Sequence, residues 1–506
     1  MFKFFIKTFF IIIISLSLLY LGMYLNKQGI SGEFIKPIFL ENIKIIPNYY
    51  NAINSSPEKI EILFNNEEYK EIIDNRSNAL KKGIIETNNL SWVKCKIKYQ
   101  DNTFKAKIRL KGDYIDHLKG DKWSFRVKLK KDGRIFGMKK FSLQNPKTRN
   151  YIYEWLFHKA LQRENIIHLR YKFVNITING KNKGIYALEE HFDNIMLENN
   201  KIKPSVILKF NEDYFWYNNA KPKNCNKISE SWQSSNIDYF NKKHTSYNEF
   251  NIAKNMLEQH KNGNLSTSEV FDIEKLSMYI AICDLMDGGH AWNWNNIRFY
   301  YNKDTKKIEP IGYDKGRGYY INTLLLCERR KGYYNELWHK RFYSDTIFVK
   351  KYIEKLNIVS NKEYINSLLD SLNNELYTNL NILYKDYPYF NYTDKYFKAN
   401  QDFIKKMLNP ISPLYGFFTV KNDTTYNVKI ANRHYLPIVL IKIYDKRNII
   451  KKFNHEIIPM KEINNPLIYK NYIFNIQNKT KEKYLYIEYK ILGLNQIYNS
   501  KIFIQP

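Results

Sequence analysis

The stretch that decides the fold reads FDIEKLSMYIAICDLMDGGHAWNWNNIRFYYNKDTKKIEPIGYDKGRGYY and runs from Phe271 to Tyr320. Its first third carries apolar residues at helical spacing, and the two glycines that follow would end that helix, because glycine tolerates left-handed backbone geometry. Residues 296–301 and 308–313 then predict two strands joined by a turn. The predicted unit is therefore a helix, a polar loop and a hairpin with an acid, Asp314, at its exit.

The composition of the whole chain limits the class of protein. With 506 residues the chain is too long for one core, so two or three domains are expected. An apolar content of 44% excludes global disorder. The net charge of +30 could attract nucleic acid, but the lysines are scattered and no nucleic-acid-binding motif accompanies them. We therefore predict no nucleic-acid partner. The four cysteines show no metal-like spacing, and the sequence does not choose a disulfide pair.

The N-terminus predicts a membrane anchor. Lys3 and Lys7 precede an uncharged run from Phe9 to Leu25. At about 1.5 Å per residue that run spans roughly 26 Å, close to the hydrocarbon thickness of a bilayer. No small-residue cleavage site follows, which favours an uncleaved anchor over a cleaved signal peptide. The flanking lysines predict a cytoplasmic N-terminus, and so a single-pass protein of the cytoplasmic (inner) membrane with its bulk outside the cytoplasm.

Changes in pattern along the chain predict its domains. Residues 1–25 form the anchor, 26–58 a tether, and 59–410 a mixed α+β domain with a polar insertion at about 214–245. Residues 411–506 carry short strand-like runs at roughly ten-residue spacing, which is typical of a small β-sandwich. This last domain has no cluster of catalytic residue types, so we assign it a packing or partner-binding role.

Two neighbouring predicted strands carry alternating basic residues. Because alternate residues of a strand share one face, the series predicts a positive ladder on one side of a sheet. The alternative is a solvated face with no ligand. The residues concerned are Lys107, Arg109, Lys111, Arg126, Lys128 and Lys130.

Several blocks in the same order resemble the CotH kinase family, which is named for a bacterial spore-coat protein kinase with an atypical kinase-like fold. The blocks are Lys107–His117, Lys122–Gln144, Asn179–His191 and the stretch quoted first. Together they cover roughly residues 59 to 320. Protein kinases share the order of a loop with an Asn, a hairpin and a metal-binding Asp. The resemblance implies transfer of the ATP γ-phosphoryl group to a protein Ser/Thr hydroxyl with Mg²⁺ or Mn²⁺.

The resemblance also implies roles for single residues. Asp314 matches the metal-binding Asp and is assigned to catalysis as well, and Asn295 and Asn296 match the metal-binding Asn position after the catalytic loop. A carboxylate and an Asn oxygen suit Mg²⁺, which prefers oxygen ligands. The alternatives are a strand-end cap for Asp314 and a turn for Asn295. Residues matching positions implied to hold the nucleotide are Arg109, Lys111, Arg126, Lys128 and Glu190.

The sequence departs from the family pattern at two places. His290 stands where active members have the catalytic Asp, about five residues before the loop Asn, and Gly316 replaces an acid that often follows the metal-binding Asp. Imidazole titrates near neutral pH, so His290 could act as the base in place of that Asp. It could equally be a loop residue bonded to backbone.

Three hypotheses follow for the function. The first is a membrane-anchored, extracytoplasmic CotH-like protein kinase that acts on a protein acceptor. The alternative is a catalytically inactive CotH-like pseudokinase that binds a protein or polysaccharide of the cell envelope. The third is a transferase with the same fold and a donor other than ATP.

Overall fold

A computed structural model describes residues 2–27, 44–85, 90–112, 115–212, 232–316, 318–327, 336–421, 424–446, 448–462, 465–475 and 483–505. Within these ranges, no helix proves both long and apolar enough to cross a membrane. This finding contradicts the predicted location as a single-pass protein of the inner membrane, and it does not confirm the predicted anchor at residues 1–25.

The first part of the fold is a closed barrel of seven strands in the order β1-β2-β3-β4-β5-β7-β6. Neighbouring strands are antiparallel, except that β1 and β6 run parallel where the barrel closes. Apolar side chains at alternate positions fill the barrel, so basic residues lie on its outer face. The strands are β1 (Lys59–Leu63), β2 (Val93–Tyr99), β3 (Asn102–Leu110), β4 (Phe125–Leu129), β5 (Lys140–Gln144), β6 (Tyr171–Ile178) and β7 (Lys181–Glu190).

Helices and a four-stranded sheet in the order β11-β10-β8-β9 form the second part. The sheet consists of β8 (Ile207–Phe210), β9 (Ile237–Tyr239), β10 (Arg298–Asn302) and β11 (Lys307–Ile311). The helices of the described residues are α1 (Phe2–Lys27), α2 (Ile45–Ile53), α3 (Asn66–Lys82), α4 (Tyr153–Arg163), α5 (Asn194–Asn199), α6 (Tyr247–Asn262), α7 (Thr267–Val270), α8 (Ile273–Leu285), α9 (Glu336–Tyr343), α10 (Thr346–Val359), α11 (Lys362–Tyr384) and α12 (Lys395–Leu408). One of these helices, α3, packs on the barrel instead.

Helix α8 and the hairpin of β10 and β11 are the unit predicted from the first quoted stretch. The helix ends at Leu285, earlier than the expected glycine stop. Asp287, not a glycine, takes the left-handed conformation after it, with φ of 51°. Its Oδ2 accepts a hydrogen bond from the Tyr319 backbone N–H at 2.8 Å, which explains an acid in this conformation. The mixed α+β class predicted from the sequence is confirmed.

The C-terminal strands form a single seven-stranded sheet in the order β15-β14-β17-β18-β12-β13-β16, where two sheets of a sandwich were expected. The two edge strands of this sheet contact each other. Glu456 of β15 accepts hydrogen bonds from two side chains of β16, from Lys470 Nζ at 2.9 Å and from Tyr472 Oη at 2.8 Å. The sheet is therefore curled. The strands are β12 (Leu414–Lys421), β13 (Thr425–Asn432), β14 (Ile438–Tyr444), β15 (Ile449–Ile458), β16 (Tyr469–Asn475), β17 (Tyr484–Ile491) and β18 (Ile497–Ile504).

Two predicted segments fall partly outside the described residues. Of the tether, 28–43 lies outside them, and the rest includes α2. Of the polar insertion, 214–231 lies outside them, and the remainder supplies β9, which pairs with β8.

Candidate functional site

Asp314 lies at the exit of the hairpin, between the outer face of the barrel and the helical part. Its φ is 53°, a left-handed conformation that strains a non-glycine residue and is often found at functional sites. Its Oδ2 accepts a hydrogen bond from Arg149 Nη2 at 2.6 Å, and both side chains are nearly buried. Burial alone would raise the pKa of Asp314, but Arg149 and His290 hold that pKa well below its usual range. Asp314 is therefore a carboxylate at neutral pH.

His290 is bound to Asp314 and to the next loop residues. Its Nδ1 lies 3.2 Å from Asp314 Oδ1 and 3.1 Å from the Asp314 carbonyl oxygen. Asn296 Nδ2 lies 2.5 Å from the same nitrogen and donates to the His290 carbonyl oxygen at 3.1 Å. Burial disfavours a charge on His290, yet the Asp314 carboxylate outweighs it and raises the pKa. The ring therefore acts as a charge partner of Asp314.

The two departures from the family pattern are in contact with each other. A Cβ at Gly316 would lie 2.9 Å from His290 Cβ, and the glycine has φ of +81°. An acid at position 316 would therefore collide with the histidine. His290 and Gly316 form one structural unit, not two independent changes.

Two buried side-chain oxygens of this loop and hairpin accept no hydrogen bond. They are Oδ1 of Asn295 and Oδ1 of Asp314, and the latter forms an ion pair with His290 Nδ1 at 3.2 Å. A buried polar atom without a partner costs free energy, and a ligand on Asn295 Oδ1 would remove that cost. Both are hard oxygen donors of the kind Mg²⁺ prefers, so the residues present fit a divalent cation. Among the described residues, no group of three or more His, Cys, Asp and Glu side chains could hold a metal.

Lys111 forms a buried ion pair that the sequence did not predict. Its Nζ donates to Glu189 Oε2 at 2.7 Å and to Gln144 Oε1 at 2.8 Å. Burial is the main cause that lowers the pKa of Lys111 to about 8, and Glu189 partly offsets it. Arg149 contributes a further positive charge near this pair. We call the surroundings of Asp314 and His290 the Asp314 corner. The cations that face it are Lys111 and Arg149.

Glu190, the acid chosen from the resemblance, has a different partner. Arg170 donates to both of its carboxylate oxygens, with the Nε contact at 3.0 Å. Successive residues of a strand point to opposite faces, so Glu189 and Glu190 meet different neighbours. The predicted role of Glu190 in holding the nucleotide stays a prediction.

The other three basic residues predicted to hold phosphate lie farther out on the barrel face. Arg109 stacks over Trp92 at 5.3 Å, and Arg126 Nη1 lies 2.7 Å from His191 Nδ1. Arg126 and Lys128 line a pocket of ≈ 150 Å³, together with Trp92, Val127, Lys140 and His191. The structure therefore separates Lys111, which is buried, from these outward cations.

Sequence reasoning missed two further residues of the site, Arg149 and Glu154. Glu154 lies on α4, is fully buried, and accepts from the Lys315 backbone N–H at 3.1 Å. Burial and the charge of Asp314 raise the pKa of Glu154 to about 8. An acid between apolar residues in the first turn of the helix was the available signal for Glu154. No local pattern indicated Arg149, because only the fold brings it to Asp314.

Comparison with known families decides the assignment. Residues 108–409, more than half of the chain, match the model of a family described as CotH kinase protein. The chain belongs to the CotH kinase family. No curated protein matches it. The resemblance inferred from the sequence is confirmed, and membership suggests a CotH-like kinase or pseudokinase.

The CotH match covers every residue of the site. It includes Arg109 in β3, Glu189 in β7 and Asp314 after β11, but neither β1, β2 nor the C-terminal sheet. The branch with His290 in place of the catalytic Asp stays a prediction.

Proposed function

We propose that this CotH protein is a kinase that transfers the γ-phosphoryl group of ATP to a Ser or Thr hydroxyl of a protein acceptor. The observation that carries the proposal is the buried carboxylate of Asp314, which Arg149 and His290 contact and Lys111 faces, with the unbonded Oδ1 of Asn295 on the loop that contains His290. Phosphoryl transfer depends on alignment and charge neutralisation, which this arrangement provides.

Asn295 and Asp314 would hold a divalent metal ion, with Asn296 beside them. When bound, the metal supplies positive charge that neutralises the phosphate oxygens. Lys111, fixed by Glu189, and Arg149 orient and neutralise the phosphates, since charge-assisted hydrogen bonds to such groups are strong. Arg109, Arg126 and Lys128 would attract the remainder of the nucleotide from the outer face.

His290 acts in this proposal as a positioning residue. Its contacts with Asp314 raise its pKa, so more of the ring is protonated near neutral pH and less of it can accept a proton. A protonated His290 also fixes the side chain of Asp314 through its contact with Oδ1. The second candidate is an inactive CotH pseudokinase. It is favoured because His290, and not an acid, stands where active members of the family have the catalytic Asp.

Transfer of labelled phosphate tests the proposal. The full chain is incubated with γ-labelled ATP and Mg²⁺ or Mn²⁺, and incorporation into itself and into added protein is measured. We expect metal-dependent labelling that Asn295→Ala abolishes. This variant removes an oxygen that accepts no hydrogen bond, so it should fold normally. Asp304→Asn, on the exposed turn of the same hairpin, is the matched control and should label like the wild type.

Three results separate the candidates. Nucleotide binding without any labelling would favour the pseudokinase. Labelling that survives Asn295→Ala would contradict the assigned metal site. If His290→Ala lowers labelling without changing its dependence on pH, His290 is a positioning residue. If His290→Ala instead removes the acidic limb of the pH profile of labelling, His290 is the base.

A further inference from the structure

Two rows of lysines cross the outer face of the barrel, beyond the candidate site. Residues of one row lie directly opposite one another on neighbouring strands. Same-face residues of a strand are two positions apart, so the rows are separated by about 6.8 Å. The lysine rows are Lys94, Lys107, Lys128 and Lys140 in the first, and Lys96, Lys105 and Lys130 in the second.

These lysines repel one another without acidic partners. Lys107 faces Lys94 on one side and Lys128 on the other, and Lys128 also faces Lys140. Like charges directly opposite each other destabilise a sheet. Within the described ranges, no lysine of the rows forms an ion pair with an acid, although Asp193 attracts Lys140 from farther away. In the C-terminal sheet, by contrast, Lys442 pairs with Glu488 at 3.0 Å.

We propose that the lysine rows bind an acidic, extended segment of the acceptor protein. The proposal rests on the proposed kinase function only in calling the bound protein an acceptor. An anionic ligand would relieve the repulsion between the lysines, which gives the charge pattern a physical reason. The aromatic residue beside the rows, Trp92, already stacks with Arg109, so a polypeptide suits the rows better than a nucleic acid, whose bases would stack on such a ring.

The geometry sets the spacing and direction of the bound segment. Alternate side chains of an extended polypeptide repeat every ~6.8 Å, which equals the separation of the two rows. Strand β3 runs from Lys105 through Lys107 and Arg109, and Lys111 follows directly beside the Asp314 corner. Acidic residues at alternate positions would therefore face successive rows, while a hydroxyl farther along the segment would reach the site.

Binding of synthetic peptides to the full chain tests the proposal. The probe is a fluorescent peptide of about twelve residues with Glu alternating with Ser, followed by fluorescence anisotropy. A second peptide has the same composition with all Glu contiguous. We expect the alternating peptide to bind more tightly than the contiguous one. The triple variant Lys94→Gln/Lys105→Gln/Lys107→Gln should bind it at least about tenfold more weakly.

The matched control removes three exposed lysines elsewhere, in Lys362→Gln/Lys405→Gln/Lys406→Gln, with the same change in net charge. It should bind the peptide within about twofold of the wild type. Because the row variant removes like-charge contacts, its melting temperature should equal or exceed that of the wild type. A lower melting temperature would contradict the repulsion on which the proposal depends.

The remaining outcomes each decide one point. Equal binding of the two peptides would overturn the docking proposal, and so would an equal loss of binding in the control variant. A thymidine oligonucleotide that binds at least as tightly as the alternating peptide would also overturn it.

Metal-dependent ATP binding is measured in parallel on the wild type. If ATP binds and the peptide does not, docking alone fails. If the peptide binds and ATP does not, docking stands and the kinase proposal fails.

Discussion

The ion pair of Arg149 with Asp314 should dominate the stability of the site, and Arg149→Met tests it. Arg149 Nη2 and Asp314 Oδ2 lie 2.6 Å apart, and the two side chains are 11% and 6% exposed, respectively. At an effective dielectric constant of about 20, two unit charges at this distance attract by about 6 kcal/mol, before any desolvation cost. Removal of one partner from a buried pair typically costs about 3–5 kcal/mol, because the other charge is left uncompensated.

Here the uncompensated charge is particularly unfavourable. Glu154 is a second buried carboxyl near Asp314, and Arg149 lowers its pKa while Asp314 raises it. Without Arg149, two acids would share a site with less positive charge. We therefore expect Arg149→Met to lower the free energy of unfolding by about 4 kcal/mol. Asp314→Asn in the same chain should restore about 2 kcal/mol or more of that loss.

Tryptophan fluorescence during urea unfolding measures this effect in the correct part of the chain. All eight tryptophans lie between Trp92 and Trp338, so none reports on the C-terminal sheet. Arg134→Met, on an exposed residue of the barrel, is the control and should change the free energy by less than about 0.5 kcal/mol. A loss below about 1 kcal/mol for Arg149→Met, or strictly additive losses in the double variant, would refute the reasoning.

Three further predictions concern neighbouring residues. Gly316→Ala should lower the melting temperature through its clash with the Cβ of His290, and the loss should shrink when His290→Gly, which removes that Cβ, is also present; equal losses in both backgrounds would contradict the contact. Glu189→Gln should weaken ATP binding about tenfold and Glu190→Gln less than about threefold in calorimetry, whereas the family resemblance predicts the larger effect at Glu190. Because burial lowers the pKa of Lys111 to about 8, the folded chain releases this proton at a lower pH than the unfolded chain. The stability of the wild type relative to Lys111→Met should therefore rise by about 1 kcal/mol from pH 8 to pH 9 in urea unfolding, and a flat difference would exclude a lowered pKa.

Local sequence patterns correctly predicted the elements that depend on neighbouring residues alone. The hairpin of β10 and β11 was predicted from alternation and a turn, and it forms near the expected positions. Outward placement of basic residues in β3 and β4 also followed from a period of two. The family resemblance could be inferred because its blocks lie in order along the chain. The fold class and the family were therefore predictable from the sequence.

Tertiary contacts decided what the sequence could not. Glu189 and Glu190 are adjacent acids, and only the register of β7 with β5 and β6 shows which one meets Lys111. Arg149 ends a short helical turn and reaches Asp314 across 165 positions of sequence. The link between His290 and Gly316 likewise depends on the folded loop. The location in the inner membrane, predicted from the length and composition of the N-terminal run, is contradicted because no described helix could cross a membrane.

Calorimetric titration of ATP into the full chain tests the central claim most directly. The account predicts binding in Mg²⁺ or Mn²⁺ that disappears with a chelator and that weakens at least about tenfold in Asn295→Ala, while the Asp304→Asn control binds like the wild type. Binding of equal strength with and without metal, or an unchanged affinity in Asn295→Ala, would contradict the assignment of this corner as a metal and nucleotide site.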